Sequence, residues 1–163
     1  MSERAVTHAT IVIERTYDAS PARVFAAWAD PAAKARWFVG AQDKAGRVDR
    51  FELDFRIGGR EISRGDPDTS PQFTFDARYH DIVPGQRIVY AYTMHLDETL
   101  ISVSLATVEL KPDGQGTRLI FTEQGAFLDG HDEPTQREQG TASLLDALGS
   151  ELRRGQADNK PSA

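Results

Sequence analysis

Residues 72–125 place large apolar side chains at every second position, in the segments QFTFDARYHDIV, QRIVYAYTMHL, TLISVSLATVEL and GTRLIFTEQG. That period belongs to half-buried β-strands. The breaks between them, VPGQ at 83–86 and PDGQG at 112–116, are short turns with glycine available for positive φ. Strands joined so tightly are antiparallel neighbours. Upstream, THATIVIERTY sets Ile11, Ile13 and Tyr17 against Val12, Glu14 and Thr16, and RFELDFRI and GREISRG add two more segments, making about seven strands. The period then changes. In EPTQREQGTASLLDALGSELRR, Thr141, Leu144, Leu145, Leu148 and Leu152 recur at three- and four-residue spacing, which predicts one long amphipathic helix. A bent sheet with one apolar face cannot bury that face on itself unless it closes, so it must wrap around this helix. The expected class is α+β.

Between the first strand and the rest lies SPARVFAAWADPAAKARWF, residues 20–38, which holds both tryptophans. Ser20-Pro21 and Asp30-Pro31 each combine a capping side chain with proline at the first helical position, predicting two short helices that meet at a corner. Val24, Phe25 and Trp28 share one face of the first; Ala32, Ala35, Trp37 and Phe38 belong to the second, which Gly40 can end.

A length of 163 residues suits one domain, with a core over about residues 8–153 and a polar tail at 154–163. Acids Asp132 and Glu133 near the start of the long helix, and Arg153-Arg154 near its end, suit the helix dipole. The net charge of −6 argues against a nucleic-acid partner, because phosphate binding draws on clustered Lys and Arg. No apolar run has membrane-spanning or signal-peptide length, so the expected location is cytoplasmic and no membrane partner is expected. With no cysteine, disulfides, thiol nucleophiles and thiolate metal sites are excluded together.

The order of elements and five strings resemble the SRPBCC or START-like superfamily, the helix-grip (Bet v 1-like) fold. Within it they resemble the branch related to the activator of the ninety-kilodalton heat-shock chaperone's ATPase. The strings are SPARVFAAWADPAAKARWF, FRIGGRE at 55–61, ARYHDIVPGQRIVYAYT at 77–93, GTRLIFTEQGAF at 116–127 and REQGTASLLDALGSEL at 137–152. One departure stands out: after Gly140 the family often has tryptophan, and this chain has Thr141. The resemblance implies a hollow between sheet and long helix, roofed by the short helices, that holds a small apolar or aromatic molecule. Candidate lining residues are Trp37, Phe38, Phe75, Tyr79, Tyr90, Tyr92, Phe121, Glu123, Phe127 and Leu145. Trp37 and Phe38 are expected near its entrance if they touch a ligand, and in the core if they do not.

Alternation puts Ile88, Tyr90, Tyr92 and Met94 on the inner face, with Phe73, Phe75 and Tyr79, and with Leu119, Phe121 and Glu123. Glu123 is the odd member, since a carboxylate among apolar neighbours must be paired, hydrogen-bonded, solvated or protonated. It either ties a strand end at the rim, or orients a ligand or abstracts a proton, which makes it the one candidate catalytic residue. The histidines, His8, His80, His95 and His131, show no metal-ligand spacing, and GHDE at 130–133 is one short run; neither a metal nor a cofactor is expected. Gly58-Gly59 reads as a turn, since no phosphate-loop pattern surrounds it. Three functions stay open. One is a binding domain for a small hydrophobic molecule; another is a polyketide cyclase- or aromatase-like enzyme using the same cavity; the third is a chaperone-ATPase activator. Edge strands leave a homodimer possible.

Overall fold

A computed structural model describes residues 3–40, 48–68 and 71–158. Strand β1 (Val6–Tyr17) leads into helices α1 (Pro21–Ala29) and α2 (Pro31–Lys34), the latter continued by a π-helical turn at Ala35–Val39. Strands β2 (Val48–Leu53), β3 (Arg60–Gly65), β4 (Phe73–Val83), β5 (Arg87–Leu96), β6 (Thr99–Asp113) and β7 (Gly116–Leu128) follow, then helix α3 (Pro134–Asp158). The seven strands form one antiparallel sheet in the order β1-β7-β6-β5-β4-β3-β2. Only β1 departs from sequence order, crossing to pair with β7 along its whole length. The helix-grip architecture expected from the sequence is therefore present.

Local chemistry accounts for the corner. The Ser20 hydroxyl accepts from the Arg23 amide at 3.2 Å and the Asp30 carboxylate from the Ala33 amide at 3.1 Å, so each short helix starts on its own cap. Both hairpin turns carry glycine with positive φ, +73° at Gly85 and +60° at Gly114, a region open to glycine at little cost. Three polar ties hold the layers together. The Tyr17 hydroxyl donates to the Leu145 carbonyl at 2.7 Å, Arg23 donates to the Leu152 carbonyl at 2.9 Å, and Thr117 donates to the Ala19 carbonyl at 2.7 Å. Between sheet and α3 lies a core that includes Trp28, Trp37, Phe38, Phe75, Tyr90, Phe121, Leu145 and Leu148.

Three expectations need correction. The strand expected through RFELDFRI stops at Leu53, because Asp54 pairs with Arg56 at 2.7 Å and the backbone then turns, with the Gly59 amide on the Arg56 carbonyl at 2.8 Å. Phe55 still turns inward, 5.0 Å from the Tyr79 ring. The long helix does not end at Arg153-Arg154 but runs to Asp158; Gly155 alone costs about 1 kcal/mol relative to alanine, too little to stop a helix so firmly docked. Arg154 therefore pairs with Glu151 at 3.5 Å, one turn back, rather than serving the helix end. Of the tail predicted at 154–163, residues 159–163 lie outside the described residues.

Candidate functional site

Antiparallel register brings the inner face into rows. One row crosses five strands as Glu61, Ala77, Tyr92, Ser104 and Gly125, and the next runs Tyr79, Tyr90, Ala106, Glu123 and Ile11. In the first row small residues flank Tyr92, and in the second Ala106 separates Tyr90 from Glu123, which leaves room for polar groups beneath the helix. At Gly125 the space is already used: a Cβ there would lie 2.9 Å from both the Phe127 ring and the Ser104 hydroxyl.

Glu123, 0% exposed, is the hub of the first polar cluster. Its Oε1 accepts from the Tyr92 hydroxyl at 2.7 Å, and its Oε2 from Ser104 at 2.7 Å and from Arg137 Nη1 at 2.9 Å. Arg137, on the second turn of α3, also donates from Nη1 to Tyr92 at 2.8 Å, and from Nη2 to Ser102 and Asp132, each at 2.7 Å. Its guanidinium lies over the Phe127 ring, 5.1 Å from the centroid, and 5.5 Å from that of Tyr92. Burial would lower the Arg137 guanidinium, but Tyr92, Glu123 and Asp132 outweigh it and hold it above its ordinary range. Burial, helped by the charge of Glu123, raises the Tyr92 phenol.

A second cluster sits under the helical corner. Lys34, 1% exposed, donates from Nζ to Glu61 at 2.6 Å and to the Tyr79 hydroxyl at 3.2 Å, and Tyr79 in turn donates to Glu61. Rings enclose the ammonium, with Phe38 at 4.9 Å, Trp28 at 5.0 Å and Tyr90 at 5.8 Å. Burial lowers the Lys34 pKa, and Glu61 opposes that shift. Burial likewise raises Tyr79, with Glu61 contributing, and raises Tyr90, which stands between the two clusters 5.6 Å from Tyr79 and 6.0 Å from Tyr92. Glu61 Oε2, Ser63 Oγ and Trp28 Nε1 are buried with no hydrogen-bond partner among the described residues.

Two concavities adjoin these clusters. The inner cavity measures about 40 Å³ and is bordered by Trp28, Trp37, Phe38, Tyr90, Tyr92, Phe121, Glu123, Thr141, Leu144 and Leu145. The outer groove, about 360 Å³, opens between the start of β4, the end of β5 and the first half of α3, against Phe73, Phe75, Tyr92, Met94, Asp132, Gln136, Arg137, Gly140, Thr141, Ser143 and Leu144. Tyr92, Thr141 and Leu144 belong to both walls.

The expected lining residues thus divide. Phe75 and Tyr92 face the groove; Trp37, Phe38, Tyr90, Tyr92, Phe121, Glu123 and Leu145 border the inner cavity. Tyr79 belongs to the Lys34 cluster, and Phe127 supports Arg137. Trp37 and Phe38 are not at an entrance: they are 2% and 7% exposed. The π-helical turn carries both inward, and Trp37 donates from its ring nitrogen to the Ala27 carbonyl at 2.9 Å, which pins it beneath α1. Glu123 is not at a rim, and Asp132 binds Arg137 rather than only complementing the helix dipole.

Lys34, Glu61, Ser102, Ser104 and Arg137 escaped the sequence reading. A signal existed for the first two. Lys34 stands three and four residues before Trp37 and Phe38, on the same helical face, and Glu61 alternates with Ser63 on the inner side of β3. Arg137 gave none, because its helical turn is polar all round.

A curved antiparallel sheet gripping a C-terminal helix, with a helical corner after β1 and polar clusters under the helix, defines a helix-grip domain. The sequence profile described as "Activator of Hsp90 ATPase homolog 1-like protein" matches residues 18–153, and the chain belongs to that family. It is similar to the structure of an uncharacterized protein from Rhizobium leguminosarum at 46% identity and a TM-score of 0.86, over 94% of this chain and 99% of that one. It also resembles the Mll3558 protein from Rhizobium loti at 50% identity and a TM-score of 0.82, over 90% and 99% of the two chains. CalU16 from Micromonospora echinospora, at 22% identity and a TM-score of 0.66 over 92% of this chain and 85% of that one, shares the fold. Among curated proteins none matches. No helix among the described residues is long and apolar enough to cross a membrane.

Proposed function

We propose that this chain binds a small apolar or aromatic molecule in the groove between the paired ends of β4 and β5 and the first half of α3. The observation that carries this reading is the shape and chemistry of the groove. Its volume of about 360 Å³ falls among small-molecule sites, and Phe73, Phe75, Tyr92, Met94 and Leu144 line it while polar groups gather at one end. The inner cavity, at about 40 Å³, is far below the roughly 150 Å³ that admits a benzene ring, so the ligand body lies outside it. Thr141 stands where the two spaces meet, at the position that in the family often carries tryptophan.

In this reading Glu123 is a positioning group. Three donors already occupy its oxygens, and its task is to hold Tyr92 and Arg137 in the groove wall. A cyclase-like reaction would require the same carboxylate to release one of those donors and take a proton from the ligand instead.

Titration with an uncharged solvatochromic dye such as Nile red tests the proposal. Saturable binding that Thr141→Trp abolishes and Phe75→Ala weakens supports it. Binding indifferent to both substitutions, with folding intact by circular dichroism, refutes it.

A further inference from the structure

The polar end of the groove carries one guanidinium, Arg137, and one carboxylate, Asp132, and the guanidinium is already spent. Both hydrogens on Arg137 Nη1 are directed to protein oxygens, at Tyr92 and Glu123, and both on Nη2, at Ser102 and Asp132. Of its five N–H donors only Nε–H remains, so no two-pronged fork is available to a ligand carboxylate or phosphate. Glu123 lies behind the groove wall, bordering the inner cavity, with three donors already on its oxygens. Asp132 differs. It lines the groove, its side chain is 19% exposed, and among the described residues it accepts from Arg137 through Oδ2 alone, leaving Oδ1 as an acceptor.

The rest of the wall has the same preference. The faces of Phe73 and Phe75 are negative at their centres and favour a cation; the one cation among the described lining residues, Arg137, already lies 5.5 Å from the Tyr92 ring and is offset by the Glu123 and Asp132 carboxylates it donates to. The chain as a whole carries −6, which raises the local concentration of cations at its surface.

Building on the groove reading, we infer that its ligand is a hydrophobic amine: an apolar or aromatic body with an ammonium head that donates to Asp132, rather than a carboxylic acid. The body lies against Phe75, Met94 and Leu144, and the head sits between the aromatic faces and the open Asp132 oxygen.

Three naphthyl compounds of matched size, naphthylmethylamine, naphthylmethanol and naphthoate, separate the possibilities when titrated calorimetrically at neutral pH. The amine should bind about tenfold more tightly than naphthoate, with the alcohol between, an increment of the size expected from one half-exposed ion pair and cation–π contact. Asp132→Asn should bring amine and alcohol to within about twofold, and Asp132→Glu should keep most of the preference; the second variant covers any loss of folding in the first. Naphthoate binding as tightly as the amine, while all three remain blocked by Thr141→Trp, overturns the amine assignment and leaves the groove standing. Failure of all three to bind, or binding that Thr141→Trp does not touch, overturns the groove and the amine together.

Discussion

All four tyrosines of the chain, Tyr17, Tyr79, Tyr90 and Tyr92, are buried, and in each burial raises the phenol above its ordinary pKa near 10. Alkaline stability should follow from that. A folded phenol with a raised pKa keeps its proton where the unfolded one loses it, so stability is complete below pH 10 and is lost as the pH climbs above it. Each phenol removes roughly 1.4 kcal/mol per pH unit beyond 10, so four together remove about 6 kcal/mol at pH 11 and about 11 kcal/mol at pH 12. A domain of this size holds about 5–15 kcal/mol in total. Lys34 acts in the opposite sense: burial lowers its pKa, so raising the pH toward the unfolded lysine value relieves its cost. It is one group against four and delays the transition without reversing it. Absorbance at the phenolate band, followed with far-ultraviolet circular dichroism on one sample, should stay flat through about pH 10.5. Above that, phenolate should appear together with the loss of structure, all four rings in one cooperative step. Phenolate accumulating around pH 10 while the dichroism is unchanged would refute the burial argument.

Arg137→Met should destabilise the fold by about 3–5 kcal/mol in urea unfolding, because Glu123 would stay buried with only two hydroxyl donors; adding Glu123→Gln should recover a large part. Lys34→Met should cost a similar amount, about 3–5 kcal/mol, and the double change Lys34→Met/Glu61→Leu should be less destabilised than either single variant if the pair is a buried charge balance rather than a net source of stability. Gly125→Ala should lower stability by about 1–3 kcal/mol and change the near-ultraviolet dichroism, since its Cβ would press on the Phe127 ring that carries Arg137.

Ile11, Ile13 and Tyr17, then Tyr90 and Tyr92, then Leu119, Phe121 and Glu123, all turn inward as their alternation predicts, and the two hairpin turns fall at the expected glycines. Alternation is legible because which side of a strand is buried depends on a period of two that each segment carries by itself. The ends of elements were less legible. The β2 strand stops early at a side-chain pair, and α3 outlasts its arginines because the single glycine after them, Gly155, costs too little to end it.

The sequence by itself determined the class: seven alternating segments and one long amphipathic helix leave few ways to bury their faces, and Ser20-Pro21 and Asp30-Pro31 mark the corner wherever the chain goes next. Only the tertiary structure decided the site. Lys34 meets Glu61 across 27 positions, and Arg137 meets Glu123 across 14, through the curvature of the sheet and the rotation of α3. No periodicity records those quantities, because they arise when separate faces close on one another and each buried charge must find its counterpart across the gap.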